Sequence, residues 1–315
     1  MQNARIITVG LSPAWDISCR GRNLDWGCHV DIDEQVVRPA GKAMNVSYAL
    51  AWLGRRSLAA GLWGREDLDQ MARAVRRLGG LIGPHMTAME GRTRRNITVI
   101  DTFRRREMHL RRKSDLASHQ SLKRLNTALK RLVRRGDTCI FAGVMPGGDL
   151  LERVVDLVRT CRRANGRLVV DTYGPALRAI VEARLAWMIS PNVEELCELL
   201  DREVQNTPAG LAAAGRTLLD KVEIVLISRG TGGAVLVTEN GIWTGRSTTR
   251  REVLSTVGCG DYLLAGFVAG LDNTRSPQAA LATGLKVATA RAWGWTEAKT
   301  WPQANRDITV SVRPI

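Results

Sequence analysis

The alternation of strand-like and helix-like segments constrains the fold of this 315-residue chain more than any other feature. Short apolar runs typical of buried strands occur at 6–9, 138–141, 168–170, 187–189 and 224–227. Helices are predicted over 42–53, 67–78 and 149–163, the first two from apolar residues at helical spacing. Repeated strand-then-helix order predicts an α/β fold, a three-layer sandwich in which helices cover both faces of a mostly parallel sheet.

Two regions break this order and predict a small antiparallel β lid. Residues 16–38 contain the alternating run Val30-Asp-Ile-Asp, and residues 92–113 contain Ile97-Thr-Val-Ile, a turn, and Met108-His-Leu. Period-two alternation is typical of strands, so both regions are predicted to be antiparallel ribbons. No Pro- or Ser-rich linker and no internal repeat divides the chain, so residues 1–315 are predicted to form one domain with lid inserts at about 16–38 and 92–113.

The chain is strongly basic, with 46 Lys and Arg against 31 Asp and Glu and a net charge of +15. Such a charge suits either nucleic acid or anionic small molecules. The densest basic cluster, 104–106 with 111–113, has only Phe103 as an interleaved aromatic residue and matches no nucleic-acid-binding module. A solvated face or a dimer rim is therefore favoured, and a nucleic-acid partner is not expected.

Other classes of protein are also not expected from the composition. The six cysteines form no C-x-x-C pair and the four histidines lack ligand spacing, so neither a zinc site nor a disulfide framework is predicted. No uncharged apolar run approaches the ~18 residues needed to cross a membrane. The N-terminal residues lack the apolar core of a secretory signal, so a cytoplasmic protein is expected.

The most informative short stretch is 256–261, TVGCGD, which an apolar run follows directly. Its glycines permit a tight turn into a buried helix, and a helix start holds anions well. The stretch therefore predicts a phosphoryl-transfer site, with the N–H groups of Gly258, Cys259 and Gly260 as an anion hole. Asp261 would be the general base for the attacking hydroxyl. An ordinary helix cap with a glycine turn explains the same stretch equally well.

Two common nucleotide-binding motifs are excluded by single residues. A P-loop requires Ser or Thr after Gly-Lys, but Ala43 follows Gly41-Lys42. A dinucleotide-binding fingerprint requires a third glycine three residues after Gly260, where Leu263 stands.

A second group of polar residues lies near the N-terminus and in the second lid insert. The Asp16 carboxylate can bind two sugar hydroxyls, and the Asn45 amide can both donate and accept. Gly41 allows a ligand to approach the backbone closely. Arg94 can clamp a phosphate on the substrate. A loop aspartate, an ordinary helix start and a surface arginine form the competing interpretation.

Motifs along nearly the whole chain together form a specific pattern through their order and spacing. They are 12–16 (SPAWD), 39–46 (PAGKAMNV), 91–97 (GRTRRNI), 143–147 (GVMPG), 171–177 (DTYGPAL), 191–196 (PNVEEL), 228–234 (SRGTGGA) and 255–261 (STVGCGD). In this pattern the chain resembles the ribokinase-like carbohydrate kinases of the phosphofructokinase-B family. The nearest branch resembles 1-phosphofructokinase and tagatose-6-phosphate kinase.

The resemblance implies an activity and a set of site residues. It implies transfer of the ATP γ-phosphoryl group to a sugar or sugar-phosphate hydroxyl with Mg²⁺, by a fold whose β lid often makes a dimer, so a homodimer through the lid is expected. It assigns Asp261 as the base and Gly258, Cys259 and Gly260 as the anion hole. The implied ligand-binding residues are Asp16, Gly41, Lys42 and Asn45 for the sugar, Arg94 for its phosphate, Ser228, Gly230, Gly233 and Asn192 for the nucleotide, and Glu195 with Asn192 for hydrated Mg²⁺.

Several positions depart from the family pattern, on the substrate side, near the nucleotide-binding residues and around the base. They are Ser12 for Asn, Ala43 for Gly, Val144 for Ser, Ser190 for Lys, Arg229 for Leu, Cys259 for Ala and Tyr262 for Ser. The chain is therefore predicted to be a carbohydrate kinase, and the departures leave the identity of its sugar substrate open. The alternatives are a kinase of free sugars or nucleosides, a catalytically weakened regulatory protein that binds a sugar or nucleotide, and a nucleic-acid-binding protein that uses the arginine cluster.

Overall fold

The computed structural model of the protein describes residues 4–77 and 79–315. The strands are β1 Ile6–Gly10, β2 Ala14–Gly21, β3 Glu34–Ala40, β4 Ser57–Gly64, β5 Ile82–Met89, β6 Arg95–Asp101, β7 Arg106–Leu110, β8 Thr138–Ala142, β9 Arg167–Asp171, β10 Met188–Ile189, β11 Ile224–Ser228, β12 Ala234–Thr238, β13 Gly241–Ser247 and β14 Val310–Pro314. The helices are α1 Lys42–Trp52, α2 Leu68–Arg76, α3 His119–Leu132, α4 Leu151–Arg163, α5 Gly174–Glu182, α6 Val193–Leu200, α7 Pro208–Arg216, α8 Cys259–Thr274, α9 Pro277–Ala292, α10 Trp295–Ala298 and α11 Trp301–Asp307.

The large sheet has the strand order β14-β13-β12-β11-β10-β9-β8-β1-β4-β5. The strands from β11 through β5 in this order run parallel, and β12, β13 and β14 are added antiparallel at one edge. The prediction of a mostly parallel sheet is confirmed. Parallel strands place their carboxyl ends along one edge, where ligands of open α/β sheets commonly bind.

Helices cover both faces of this sheet, as the strand-then-helix order predicts. Apolar side chains of α3, α4, α5 and α7 pack on one face, and those of α1, α8 and α9 pack on the other. Every residue of α8 from Asp261 to Gly270 is buried. This complete burial explains why the sequence after the TVGCGD stretch is apolar without helical periodicity.

The predicted helices are present with shifted ends. The helix predicted over 67–78 is α2, and Leu78 lies outside the described residues. The helix predicted from residue 149 begins at Leu151, because Gly148–Leu150 forms a 3₁₀ turn first. Within 4–77 and 79–315, no helix combines the length and apolar character needed to cross a lipid bilayer.

The lid is a second sheet with the order β3-β2-β6-β7. The pairs β2–β3 and β6–β7 are antiparallel as predicted, but β2 and β6 pair in parallel, so the small sheet combines two antiparallel ribbons. The alternating run 30–33, from which the first ribbon was predicted, is not itself a strand. The β2–β3 ladder runs from Ala14↔Ala40 to Arg20↔Glu34, so the alternating run lies beyond its last pair and is exposed.

Candidate active site

The start of α8 has the turn geometry that the two glycines were predicted to allow. Gly258 caps the helix with φ 78°, in the left-handed region that favours glycine. The N–H of Cys259 donates to Thr256 at 3.3 Å and that of Tyr262 to Gly258 at 3.0 Å. Among the described residues, no protein group accepts from the N–H groups of Gly260 or Asp261. These two donors are available to an anion at the helix start.

Asp261 lies at this helix start and is only 4% exposed. Its Oδ2 accepts from Nδ2 of Asn45 at 2.7 Å, which joins α8 to the first turn of α1. Burial, followed by repulsion from Asp171, raises the pKa of Asp261 to about 7, against opposing effects of Asn45, Lys42 and Arg291. A carboxylate with a pKa near neutrality is well matched to general-base catalysis at cellular pH.

Lys42 places a positive charge between the base and two further carboxylates. Its Nζ lies 3.2 Å from Asp171 Oδ1 and 3.7 Å from Glu195 Oε1. Burial lowers the pKa of Lys42, but attraction to Asp171, Glu195 and Asp261 outweighs burial and raises this pKa above its ordinary value. Lys42 therefore stays charged, and its protein contacts are with these acidic groups.

Asp171 is a buried acid that sequence reasoning did not place in the site. It ends β9 at the carboxyl edge of the parallel strands, contacts Lys42 and raises the pKa of Asp261. Its position directly after a buried strand was a usable sequence indication, because parallel strand ends collect functional residues.

Asn192 and Glu195 form a reciprocal helix cap at the start of α6. The Glu195 N–H donates to Asn192 Oδ1 and the Asn192 N–H donates to Glu195 Oε2, both at 2.9 Å. The N-x-x-E spacing thus has a structural role as well. Glu195 Oε1 still faces Lys42, and burial, partly offset by Lys42, raises the pKa of Glu195.

The proposed nucleotide-binding residues lie beside this cap. The backbone of Asn192 pairs in parallel with that of Ser228, at the end of β11, as an isolated β-bridge. Gly233 has φ 87°, and a Cβ there would lie 2.0 Å from the Gly245 carbonyl oxygen, so only glycine fits. Gly230 also has positive φ. The structure thus brings Asn192, Ser228, Gly230 and Gly233 to one region next to Glu195.

The proposed sugar-binding residues lie where the lid joins the large sheet. Asp16 is on β2, and its Oδ1 accepts from Asn96 Nδ2 at 2.9 Å. Gly41 precedes α1 with φ 117°, and a Cβ there would be 3.4 Å from Pro13 Cα. Asn45, one turn further, connects this group to Asp261.

Arg94 binds the loop before β2 instead of projecting freely. Its Nε, Nη2 and Nη1 donate to the carbonyls of Pro13 at 3.1 Å, Ser12 at 3.2 Å and Arg112 at 2.7 Å. Burial, opposed by attraction to Asp16, lowers the pKa of Arg94. A guanidinium has five N–H donors, so with these three acceptors in the described part of the chain, two stay available to a ligand.

Asp67 is a second buried carboxylate that sequence reasoning took only as a helix start. Its Oδ2 accepts from Trp15 Nε1 at 3.1 Å and its Oδ1 from Thr93 Oγ1 at 3.0 Å. Trp15 adjoins Asp16 and Thr93 adjoins Arg94, so this carboxylate fixes both substrate-side segments. An aspartate directly before a helix gave no indication of these distant partners.

Comparison with known proteins identifies the family to which this site belongs. A family model described as "pfkB family carbohydrate kinase" matches residues 7–292. The chain belongs to this family. It is therefore a carbohydrate kinase, as the motifs predicted, and membership implies ATP as the phosphoryl donor.

Relatives and solved structures agree with this assignment. The chain is 30% identical to a 1-phosphofructokinase of Rhodobacter capsulatus over 290 residues, 89% of each chain. It is 26% identical to that of Vibrio cholerae over 272 residues, 84% of this chain and 82% of the relative. The tetrameric inhibited form of phosphofructokinase-2 from Escherichia coli matches with a TM-score of 0.86 at 20% identity, over 96% and 97% of the two chains. At that identity the structural match establishes the fold alone.

Proposed function

We propose that this kinase transfers the γ-phosphoryl group of ATP to a hydroxyl of a sugar phosphate, with Asp261 as general base. The observation that carries the proposal is the buried Asp261 carboxylate at the start of α8, beside the N–H groups of Gly260 and Asp261, which have no protein acceptor among the described residues. The relatives named 1-phosphofructokinase support a phosphorylated sugar as the substrate.

In this proposal Asp261 accepts the proton of the attacking hydroxyl. Asn45 donates to Oδ2 of Asp261, so it orients the carboxylate and leaves Oδ1 for the substrate. The N–H groups of Gly258 and Gly260, together with that of Asp261, would stabilise charge on the transferring phosphoryl group, whereas the N–H of Cys259, also predicted for the anion hole, donates to the Thr256 carbonyl instead. Helix-terminal N–H groups suit this role because they are fixed before the reaction.

Asp171, Glu195 and Asn192 form the proposed environment of a Mg²⁺ ion. Within the described residues, no three His, Cys, Asp or Glu side chains converge as in a metal cage made by protein alone. Mg²⁺ commonly keeps several waters and binds substrate phosphates, so partly buried carboxylates that act through water fit it. Bound there, the ion would neutralise charge on the ATP phosphates.

Arg94 is the proposed contact for the phosphate already on the sugar. It lies on the substrate side with two N–H donors left, and the positive charge of Arg111 is close enough to lower its pKa further. Val144, which is 46% exposed, opposes the proposal because it cannot donate a hydrogen bond. A charged hydrogen bond contributes about 1.5–3 kcal/mol against about 0.5–1.5 kcal/mol for a neutral one. The presence of Arg94 therefore outweighs the hydrogen bond that Val144 cannot make, and a phosphorylated sugar is favoured.

ATP consumption by the purified protein tests the proposal. The panel contains sugars offered with and without a phosphate, and Asp261→Asn is the inactive control. A preference for phosphorylated sugars is expected. A preference for free sugars or nucleosides would reassign the substrate, and ATP and sugar binding without turnover would support the regulatory alternative.

The lid is the proposed surface of a homodimer. Val36, Val37, Met108 and Leu110 on β3 and β7 are 38–48% exposed, an apolar composition unusual for free strands. Light scattering should give twice the 34.6 kDa of the chain, and Val37→Glu should give the monomer. A monomeric wild type would contradict this part of the proposal.

A further inference from the structure

Arg291, near the end of α9, touches the protein on both sides of the Gly258–Asp261 turn. Its Nε donates to the Val257 carbonyl at 3.2 Å, directly before the turn. Its guanidinium carbon lies 5.4 Å from the ring centroid of Tyr262, directly after the turn. Its Nη1 contacts Glu297 at 3.1 Å, and the side chain is only 13% exposed.

The same guanidinium borders the space in front of the proposed base. A Cβ built on Gly258 would lie 3.8 Å from Arg291 Nε, 3.7 Å from Asp261 Oδ2 and 3.6 Å from Asn45 Nδ2. Three functional groups therefore surround one small volume at the start of α8. Arg291 also opposes the upward shifts in the pKa values of Asp261 and Cys259.

The segment before the turn depends on the end of α9 for its position. Residues 250–255 have no regular secondary structure and are almost all exposed. Their backbone is held where the N–H groups of Leu254 and Ser255 donate to Ala292 at 2.8 and 3.3 Å. The Arg291–Val257 bond extends this attachment to the residue that precedes Gly258.

Arg291 also connects the turn to the lid strand that pairs with Asp16. Glu297 Oε1, which accepts from Arg291, lies 3.6 Å from Nη1 of Arg38. Arg38 is the β3 partner of Asp16 in the β2–β3 ladder. Two arginines and one carboxylate thus link the backbone beside Asp16 to the backbone beside Asp261.

We propose that Arg291 is a positioning residue for phosphoryl transfer, which fixes the Val257–Gly258 backbone so that the helix-start N–H groups face the transferring phosphoryl group. This inference rests on the proposed function. A guanidinium suits the role because its planar fork bonds a carbonyl and a carboxylate while its face stacks on an aromatic ring. A lysine can supply the charge but not all three contacts.

The test compares Arg291→Met and Arg291→Lys with a matched control, Arg167→Met. Arg167 also stacks on an aromatic ring, Trp187 at 5.3 Å, and pairs with a carboxylate, Asp272 at 3.5 Å, at the opposite end of β9 from Asp171. Arg291→Met should lower kcat about 10- to 100-fold, with KM for both substrates changed less than about threefold. Arg291→Lys should recover part of the loss, and Arg167→Met should keep kcat within about twofold.

Hydrogen exchange of the ligand-free proteins supplies a readout that does not depend on turnover. Amides of 257–261 should exchange at least about fivefold faster in Arg291→Met than in wild type. In Arg167→Met the exchange rates of these amides should equal those of wild type. The inference is overturned if exchange in Arg291→Met is unchanged, if kcat is unchanged, or if both Met variants lose kcat equally. Wild type without turnover on any sugar would refute the proposed function instead, while faster exchange would still show the positioning contact.

Discussion

The start of α8 and the lid sheet provide opposite ends of the proposed site and are built in different ways. Asp261 lies in the first turn of α8, the nine residues after it are all buried, and its hydrogen-bond partner Asn45 comes from α1. In the lid, all five residues of β7 and four of the seven in β3 are exposed. Core packing restricts substitutions at the first end and hardly restricts them at the second. Catalytic groups can therefore persist while groups that recognise the sugar change.

Asp261→Asn is expected to have the largest effect, because it keeps the shape of the side chain but removes the proton acceptor. Loss of a general base typically lowers the rate by ~10²–10⁴, so kcat should fall by that factor. The dissociation constant for ATP, measured by calorimetry, should stay within about threefold of wild type. If the variant kept more than about a tenth of wild-type kcat, Asp261 would not be the base.

The pH dependence of wild-type kcat/KM should report the ionisation of the Asp261 carboxylate. Burial raises the pKa of Asp261 to about 7, and only the ionised carboxylate accepts a proton. The rate should therefore fall as the pH decreases through about 7, by roughly tenfold per unit well below it. Sugar-dependent ADP formation at saturating ATP and Mg²⁺ measures this limb, and ATP binding measured at each pH is the control. A flat profile from pH 8 down to 5.5 would contradict this assignment.

Arg94→Ala tests the lid end of the comparison. Loss of a charged clamp should raise KM for a phosphorylated sugar about 10- to 100-fold and leave KM for ATP nearly unchanged. The substitution also removes the bonds to Ser12 and Pro13, which would weaken binding of both forms of the sugar. The deciding quantity is therefore the ratio of kcat/KM for one sugar with and without its phosphate.

Arg20→Ala is the matched control for this experiment. Arg20 is another lid arginine, on β2 and about half exposed, and its acidic partner is Glu34 at 3.6 Å. This variant should leave both KM values within about twofold, as expected of an exposed ion pair. An unchanged kcat/KM ratio in Arg94→Ala would show that Arg94 acts on the loop and not on a phosphate.

Glu195→Gln should raise the Mg²⁺ concentration for half-maximal activity several-fold, because hard cations prefer carboxylate-linked over amide-linked waters. Glutamine can still complete the helix cap with Asn192, so α6 should keep its start. Thermal unfolding checks that condition. Unchanged Mg²⁺ dependence would leave Glu195 with its structural role alone.

The buried α8 region and the exposed lid also differ in how well the sequence predicted their structure. The parallel sheet, the buried α8 and the turn at Gly258 were predictable because apolar runs and positive-φ glycines follow local rules. The alternating run 30–33 lies outside the ribbon that it predicted, because alternation gives strand propensity but not the register that ends the ladder at Glu34.

Residues of the candidate site that lie in a recognisable motif could be proposed from the sequence. Residues that only the folded chain brings to the site were missed. Asp171, Asp67 and Arg291 reach the site through partners that are distant in sequence, such as Trp15 and Val257. No local pattern encodes the contacts of Asp67 and Arg291, whereas the position of Asp171 at the end of a buried strand was a usable indication. Lys42, assigned to the sugar, has its protein contacts with Asp171 and Glu195.

Cys259→Ala is expected to have the smallest effect, although Cys259 lies within the proposed anion hole. Its N–H donates to the Thr256 carbonyl at 3.3 Å, and its thiol makes a weak 3.7 Å contact with the Ser255 carbonyl. Burial, with repulsion from Asp261, raises the pKa of Cys259 to about 11, so the thiol stays neutral at pH 7–8. Sugar-dependent kcat should remain within about twofold of wild type.

Cys259→Asp tests why Cys259→Ala is tolerated. Either the thiol has no role in the reaction, or no anion binds at this helix start. A carboxylate at the first residue of α8 would repel the transferring phosphoryl group and occupy the helix-start N–H groups, so kcat should fall at least about 100-fold. The same charge favours a helix N-terminus, so the melting temperature should not fall with the activity. If Cys259→Ala lost activity as severely as Cys259→Asp, the thiol itself would take part in the reaction. If both kept it, the anion hole would lie elsewhere.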